Sequence, residues 1–408
     1  MNSLKKKILI ISPFAPFPLR SGADLAQHFF LDELPPYVDI VFCTKINDNL
    51  YYKKLKNYKK KNQKIEIVFF DNRPGKFSFL NLKIFVARLL NTVWKKKKEI
   101  TNKNYKPYSD IVDRSYLNFI EEILKEKKID IVQFEFLTDV NLAKFLPINI
   151  KKVLIHHEIW FKAVELRNNR INSYSKEELE QLKNDEIELL RSFNTIIVFN
   201  KDDKILLEKE LISTSIMLSP YGIPDEEICK YTPSECFENF LFIGGGDHLP
   251  NKQGLQWFLD VIFVPNKEII TQNIVIIGKW SDGFKSQYIA HSKIIFKNSV
   301  ERLNPFYENS AMIVPILSGS GLRTKTLIAL ANNVPVLTTK FAAEGLYDDQ
   351  NSKHLLFFED AKDFLNIITN NSTNKILQET ARLGFDFYIE NFSKEDIIYN
   401  RLKIYTST

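Results

Sequence analysis

Two cations, Arg323 and Lys325, stand two residues apart just after a loop freed by Gly319 and Gly321. The stretch around them, from Pro315 to Leu346, reads PILSGSGLRTKTLIALANNVPVLTTKFAAEGL. A short unbroken apolar run at 311–316 precedes the loop, as in a strand covered on both faces. Helix-forming composition at 322–331, a stop at Asn332-Asn333 and a second apolar run at 334–337 follow. The pattern predicts strand, glycine loop, helix, strand. A loop opening a helix presents unpaired N–H groups and a partial positive charge. With the two cations beside it, the segment Ser320, Gly321, Leu322, Arg323 and Lys325 is suited to a phosphate or diphosphate. The same residues would also serve an ordinary crossover whose glycines only make a tight turn.

Three further side chains could act with that loop. His157 follows an expected strand at 152–156, at the carboxyl end where open α/β sheets place ligands, and Glu158 is a carboxylate in the same loop. The alternative for His157 is a hydrogen-bonded structural histidine. Lys252 lies in Pro250-Asn251-Lys252-Gln253-Gly254, where a helix is expected to start after the turn Gly244-Gly245-Gly246. It is a second phosphate candidate or a plain surface lysine. The six histidines and the carboxylates show no ligand spacing, so no metal site is expected.

These loops need rigid strands to aim them. Apolar runs at 8–11, 38–44, 65–70, 129–134, 152–156 and 195–199 read as strands. Helical patterns at 23–34, 80–94, 109–127, 175–193 and 201–209 alternate with them. After the turn-forming Pro220-Tyr221-Gly222-Ile223-Pro224 a second run begins, with strands at 240–243, 273–277, 294–297, 311–316, 334–337 and 355–358. Helices are expected there at 253–264, 322–331, 360–370, 375–392 and 394–405. Such alternation predicts an α/β protein of open parallel sheets with helices on both faces. At 408 residues, two domains are the natural division.

The segment 315–346 resembles the donor-site signature of retaining glycosyltransferases of family 4. Gly319, Gly321, Arg323, Lys325, Leu327, Ala329, Ala331, Pro335, Val336 and the closing Ala343-Glu344-Gly345-Leu346 carry the likeness. Four more segments follow the family's order: ISPFAPFPLRSGADLAQ, VLIHHEIWFKAVELRNN, LLRSFNTIIVFNKDDKILL and FLFIGGGDHLPNKQGLQWFL. The resemblance implies the GT-B fold. Its two Rossmann-like, doubly wound domains, here 1–222 and 223–385, would face a central cleft, with a terminal helix at 386–408 returning to the first. It implies transfer of a sugar from a nucleotide-sugar donor to a hydroxyl of a glycan, lipid-linked or protein-linked acceptor, with retention. The setting would be bacterial surface polysaccharide or glycoconjugate synthesis, with no metal and no cofactor beyond the nucleotide-sugar substrate.

Residue by residue, the resemblance gives His157 the catalytic place facing donor sugar and acceptor. It gives the donor to Gly244, Lys252, Ser320, Gly321, Leu322, Arg323 and Lys325, and the acceptor side to Ser21, Gly22 and Glu158. Two family carboxylates are missing: Ser320 and Ile328 replace the paired glutamates, the second of which holds the donor ribose. Glu344 could supply a carboxylate instead. The donor could be unusual. The chain could also be a degenerate homologue that binds a glycan or partner, or a sugar-nucleotide epimerase.

Charge is uneven. Residues 1–200 hold 35 Lys+Arg and 24 Asp+Glu, a net +11, and the remainder is −5 within the overall +6. The excess concentrates at 51–64 and 93–106, with Tyr51, Tyr52, Tyr58, Trp94 and Tyr105 among the lysines. Such a surface suits an anionic bilayer, or is simply a solvated face. No nucleic-acid motif accompanies it. Three scattered cysteines, no secretory leader pattern and no apolar span of about 18 residues lead us to expect a cytoplasmic protein, with the inner face of the plasma membrane as the place the basic surface would take it.

Overall fold

The computed structural model describes residues 6–16, 21–32, 38–61, 64–73, 106–109, 111–171, 173–229, 236–347 and 352–406. The helix expected at 80–94 and the basic segment 93–105 lie outside them. Seven strands form the first sheet: β1 (Lys6–Ile11), β2 (Val38–Ile46), β3 (Glu66–Asp71), β4 (Ile131–Glu135), β5 (Lys151–Ile155), β6 (Thr195–Val198) and β7 (Ser215–Leu218). Their order is β3-β2-β1-β4-β5-β6-β7, and every pairing is parallel. Six form the second: β8 (Asn239–Ile243), β9 (Asn273–Ile277), β10 (Ile294–Lys297), β11 (Ser310–Val314), β12 (Val336–Thr338) and β13 (Leu356–Phe357). They run β10-β9-β8-β11-β12-β13, again all parallel.

The helices around the first sheet are α1 (Gly22–Asp32), α2 (Asn49–Lys61), α3 (Arg114–Lys127), α4 (Trp160–Ile171), α5 (Lys176–Leu190) and α6 (Lys201–Glu210). The second domain carries α7 (Leu249–Trp257), prolonged by a π turn at Phe258–Phe263, then α8 (Asp282–Lys285), α9 (Thr324–Ala331) and α10 (Ala361–Ile368). Two helices close the chain, α11 (Thr373–Asn391) and α12 (Lys394–Thr406). Side chains start several of them: Asp113 caps α3, Asn200 caps α6, and Ser175 with Glu178 forms a capping box on α5.

Strand alternation divides the first core. Leu9, Ile11, Val132 and Leu154 pack on one face of the sheet, and Ile8, Ile10, Ile131 and Ile155 on the other. The second face belongs to a continuous apolar cluster that also takes in Phe242, Met312 and Leu327 of the second domain, with Tyr388, Ile404 and Tyr405 of the closing helices. Arg401 on α12 bonds Ser219 after β7, and Lys151 on β5 donates to the Ile404 carbonyl. The last helix therefore packs against the first sheet.

Four elements escape the apolar patterns, one of them the four-residue α8. β7 is an edge strand whose residues alternate in exposure. The first turns of α4 pack apolar residues densely, and α2 is rich in lysine. On α2 Tyr51 and Tyr58 turn away from the lysines, while half-buried Tyr52 carries Lys56 over its ring at 4.6 Å. Tyr58 is buried, Tyr51 Oη accepts from Ala15 N–H at 2.7 Å and bonds Thr44 Oγ1 at 3.1 Å, and Tyr52 packs edge-on against Phe69. Burying aromatic surface on the sheet turns Tyr51 and Tyr58 inward, so the outward face is one of lysines, Lys53, Lys56, Lys59 and Lys60. Among the described residues no helix is long and apolar enough to cross a membrane.

Candidate active site

The first domain offers residues at the carboxyl ends of β4, β5 and β6. β4 ends at Glu135, and the next residue, Phe136, has φ +65°. After β5, His156 and His157 turn opposite ways. The His156 side chain is fully buried, 3.2 Å from Glu186, whose carboxylate accepts the Trp160 and Phe161 N–H groups that open α4. His157 meets the other domain through its backbone carbonyl, beside Gly321. Its Nε2 is 2.7 Å from Glu135 Oε2, and its ring stacks on Phe136 at 3.8 Å with an 18° tilt. Phe14, Phe136, His157, Phe199 and Tyr221 thus make a row of rings along the strand ends.

The second domain offers the loop after β11 and the start of α9, which no side chain caps. Arg323 Nη1 donates to the carbonyls of Ser320 and Gly321 at 2.5 and 2.8 Å, and the guanidinium lies over Phe341. Its Nε and Nη2 are buried and have no partner among the described residues. Lys325 Nζ donates to Asn251 Oδ1 at 2.6 Å and sits over the Phe242 ring.

The loops meet across the domains. A Cβ on residue 321 would stand 2.4 Å from the His157 carbonyl oxygen, and the backbone there has φ +80°, so only glycine fits. Ser320 N–H donates to Glu158 Oε1 at 3.4 Å, and Ser320 Oγ donates to the Ile159 carbonyl. Lys162 on α4 donates to Asp203 at 2.6 Å and to Glu344, whose Oε2 is buried without a partner among the described residues. Tyr221 Oη bonds Thr324 Oγ1 at 2.6 Å. The same threonine presses on Gly22, where a Cβ would lie 2.1 Å from its Oγ1.

The structure thus joins His157, Glu158, Ser320, Gly321, Arg323, Lys325 and Glu344 in one interdomain region, with Leu322 buried beneath it. Gly244 follows β8, and its carbonyl accepts the Trp280 Nε1–H. Ser21 is tied up with Asp24 at the start of α1. Lys252 is exposed, and it is the adjacent Asn251 that reaches Lys325. Ile328 is 6% exposed within the apolar core, so nothing polar replaces a carboxylate at that position. Motif reading did not single out Glu135, Lys162, Arg167, His248 or Asn251. One signal was available for Glu135: with Gln133 it puts two polar groups on the same face of a strand otherwise covered by apolar residues.

Burial and the neighbouring cations set the electrostatics. Burial, then the charge of Arg323, pushes the Lys325 ammonium down to about 7. Burial also lowers Arg323, against the pull of Glu344 and Glu158. Glu158 is raised by burial, opposed by Arg323 and the Ser320 N–H. Partial burial at the cleft rim, then Lys325 and Arg323, hold the exposed His248 imidazole below its usual value. Arg167 on α4 acts on both Glu158 and His248, with its own Nε buried and unpartnered among the described residues. Arg323 thus stands among the carboxylates of Glu344, Glu158 and Asp203 with its Nε and Nη2 still unpartnered among the described residues, two donors that an anion could take.

Residues 238–374 match the family model described as glycosyl transferases group 1. A curated relative, the uncharacterized 44.6 kDa protein in the cps region of Klebsiella pneumoniae, is 25% identical over 305 residues, covering 70% of this chain and 76% of that protein. A S. aureus TarM mutant in complex with fondaparinux, alpha-GlcNAc-glycerol and UDP superposes with a TM-score of 0.64 at 12% identity, covering 99% of this chain and 100% of the other. Sucrose-phosphate synthase from Thermosynechococcus elongatus gives 0.66 at 12% identity, covering 98% of each. At that identity the structural likenesses concern the fold.

Proposed function

We infer that this chain, a GT-B protein whose residues 238–374 form a glycosyl transferases group 1 domain, transfers a sugar from a nucleotide-sugar donor to a glycan, lipid-linked or protein-linked acceptor hydroxyl, with retention of configuration. The observation that carries this reading is the half-buried pair Arg323 and Lys325 at an uncapped helix start, opposite His157. The donor diphosphate sits against Arg323 Nε and Nη2, Lys325 and the loop amides. As the bond from the sugar to the diphosphate oxygen breaks, those groups take up the charge that develops on the leaving oxygen. The acceptor hydroxyl attacks the same face of the sugar, and its proton passes to the leaving phosphate. His157 and Glu158 line the sugar. Glu158, held at Ser320 N–H from the other domain, brings a carboxylate to the place where the chain has serine.

The cps-region relative supports a role in surface polysaccharide synthesis, and the UDP in the TarM complex makes UDP-sugars the first donors to try. The lysine face of α2 would bring the first domain to an anionic membrane surface that holds lipid-linked acceptors. A binding-only homologue is the second reading, favoured by one observation: Ile328 leaves the nucleoside end without its carboxylate. A panel of nucleotide sugars, followed by thermal shift and nucleotide release, separates the two. Stabilisation by a nucleotide with slow release of the free nucleotide supports transfer. No shift with any nucleotide at millimolar concentration overturns it.

A further inference from the structure

A single hydrogen-bonded row links the closing helix to His157. The Tyr405 hydroxyl on α12 donates to Gln133 Oε1. Gln133 Nε2 donates to Glu135 Oε1 at 2.6 Å, and Glu135 Oε2 stands 2.7 Å from His157 Nε2. Gln133 and Glu135 are two apart on β4 and so share a face. The first three members are buried, with Tyr405 2%, Gln133 0% and Glu135 6% exposed.

The chemistry gives each bond a direction. Burial pushes the Tyr405 phenol up to about 12, so it remains a donor. Its hydroxyl selects the oxygen end of the Gln133 amide and leaves the NH2 end facing Glu135. Both carboxylate oxygens of Glu135 then accept, and His157 Nε2 must donate. A neutral imidazole has one N–H, so Nδ1 keeps a lone pair, and it has no protein partner among the described residues. The stack on Phe136 and the edge contact with Phe199 at 5.1 Å keep the ring from turning over.

We propose that Tyr405, Gln133 and Glu135 are positioning residues that hold His157 in its Nε2–H form, so that Nδ1 accepts a hydrogen bond from a sugar hydroxyl in the cleft. The identity of the ligand as a sugar rests on the transferase reading; the tautomer does not. Glu135→Gln is the discriminating change because it preserves shape. Gln133 still donates to the carbonyl oxygen at 135, so the new NH2 faces His157 Nε2 and donates to it. The ring is forced into the Nδ1–H form, and the acceptor facing the sugar becomes a donor.

The test is a two-bond nitrogen–proton spectrum of the full chain with 15N-histidine at about pH 8, His157→Gln assigning the signal. The expected result is Nε2–H in the native protein and Nδ1–H in Glu135→Gln, with an intermediate effect from Tyr405→Phe. Turnover of a donor identified by the nucleotide panel should fall about 100-fold in kcat in Glu135→Gln, on the scale of a misplaced positioning contact, with donor KM little changed. An Nδ1–H or doubly protonated ring in the native protein overturns the proposal, as does an Nε2–H ring indifferent to Glu135→Gln. Absence of turnover in the native protein would sink the transferase reading instead, while the spectrum still decides the tautomer.

Discussion

The carbonyl oxygen of His157 occupies the space that a Cβ on Gly321 would need, at 2.4 Å. The histidine loop of one sheet and the anion loop of the other touch only because residue 321 has no side chain. Gly321→Ala must push the loops apart and also strain a backbone at φ +80°, a cost of about 1–3 kcal/mol. We expect a lower unfolding temperature and a loss of donor turnover. Gly283→Ala is the control, since nothing lies within 4 Å of its Cβ. Equal behaviour of the two variants in thermal unfolding and turnover would remove the contact from the account.

Arg323 carries two buried nitrogens without a partner among the described residues, and an incoming phosphate would satisfy both. Charge-assisted bonds are worth about 1.5–3 kcal/mol each, so loss of the two in Arg323→Ala should weaken nucleotide binding by about a hundred-fold or more. Titration calorimetry with UDP reads this directly, and an unchanged Kd assigns the phosphate elsewhere. With the charge met by protein cations, turnover should persist in EDTA; a loss restored by divalent metal would contradict that assignment.

The strands around the site were legible because each is a short apolar run flanked by turn residues, as at 294–297 and 273–277. The anion loop was legible because glycines, cations and a helix start follow one another in sequence. The partners were not. Glu158 reaches Ser320 over 162 positions, and Tyr405 reaches Gln133 over 272. No local pattern encodes which side chains converge once two sheets face each other. The loss of carboxylates at Ser320 and Ile328 could be read, but not the arrival of Glu158 from the other domain. Lysine spacing on α2 likewise hid that Tyr51 and Tyr58 face the sheet.

That inward turn changes what α2 can do at a membrane. With Tyr58 buried and Tyr52 packed on Phe69, attraction to a bilayer would come from lysine charge, without aromatic insertion. Surface charges are screened beyond about 10 Å at 0.1 M salt. The protein should therefore sediment with anionic vesicles at low ionic strength, release as salt rises, and ignore neutral vesicles. Lys53→Glu with Lys56→Glu should abolish the effect. No sedimentation at low salt, or retention at high salt, would rule out an electrostatic attachment through this face.

Lys325 makes nucleotide binding depend on pH. Its ammonium is half-buried between Asn251 and Phe242, and burial with Arg323 pushes it down to about 7. His248 nearby is held below its usual value, so it adds no positive charge near neutrality. A diphosphate arriving beside Lys325 favours the charged form, so binding takes up a proton above about pH 7. Nucleotide affinity should fall as pH rises through about 7 to 9, and calorimetry near pH 8 in buffers of different ionisation enthalpy should show net proton uptake. Lys325→Arg stays charged throughout and should flatten the profile. The free protein behaves in the opposite sense. Its folded value lies below the ordinary 10.5, so the unfolded chain binds more protons between about 7 and 10.5. This group therefore adds stability as pH rises through that window and adds none below about 7. A pH-independent affinity with no proton uptake would show that Lys325 does not meet the phosphate.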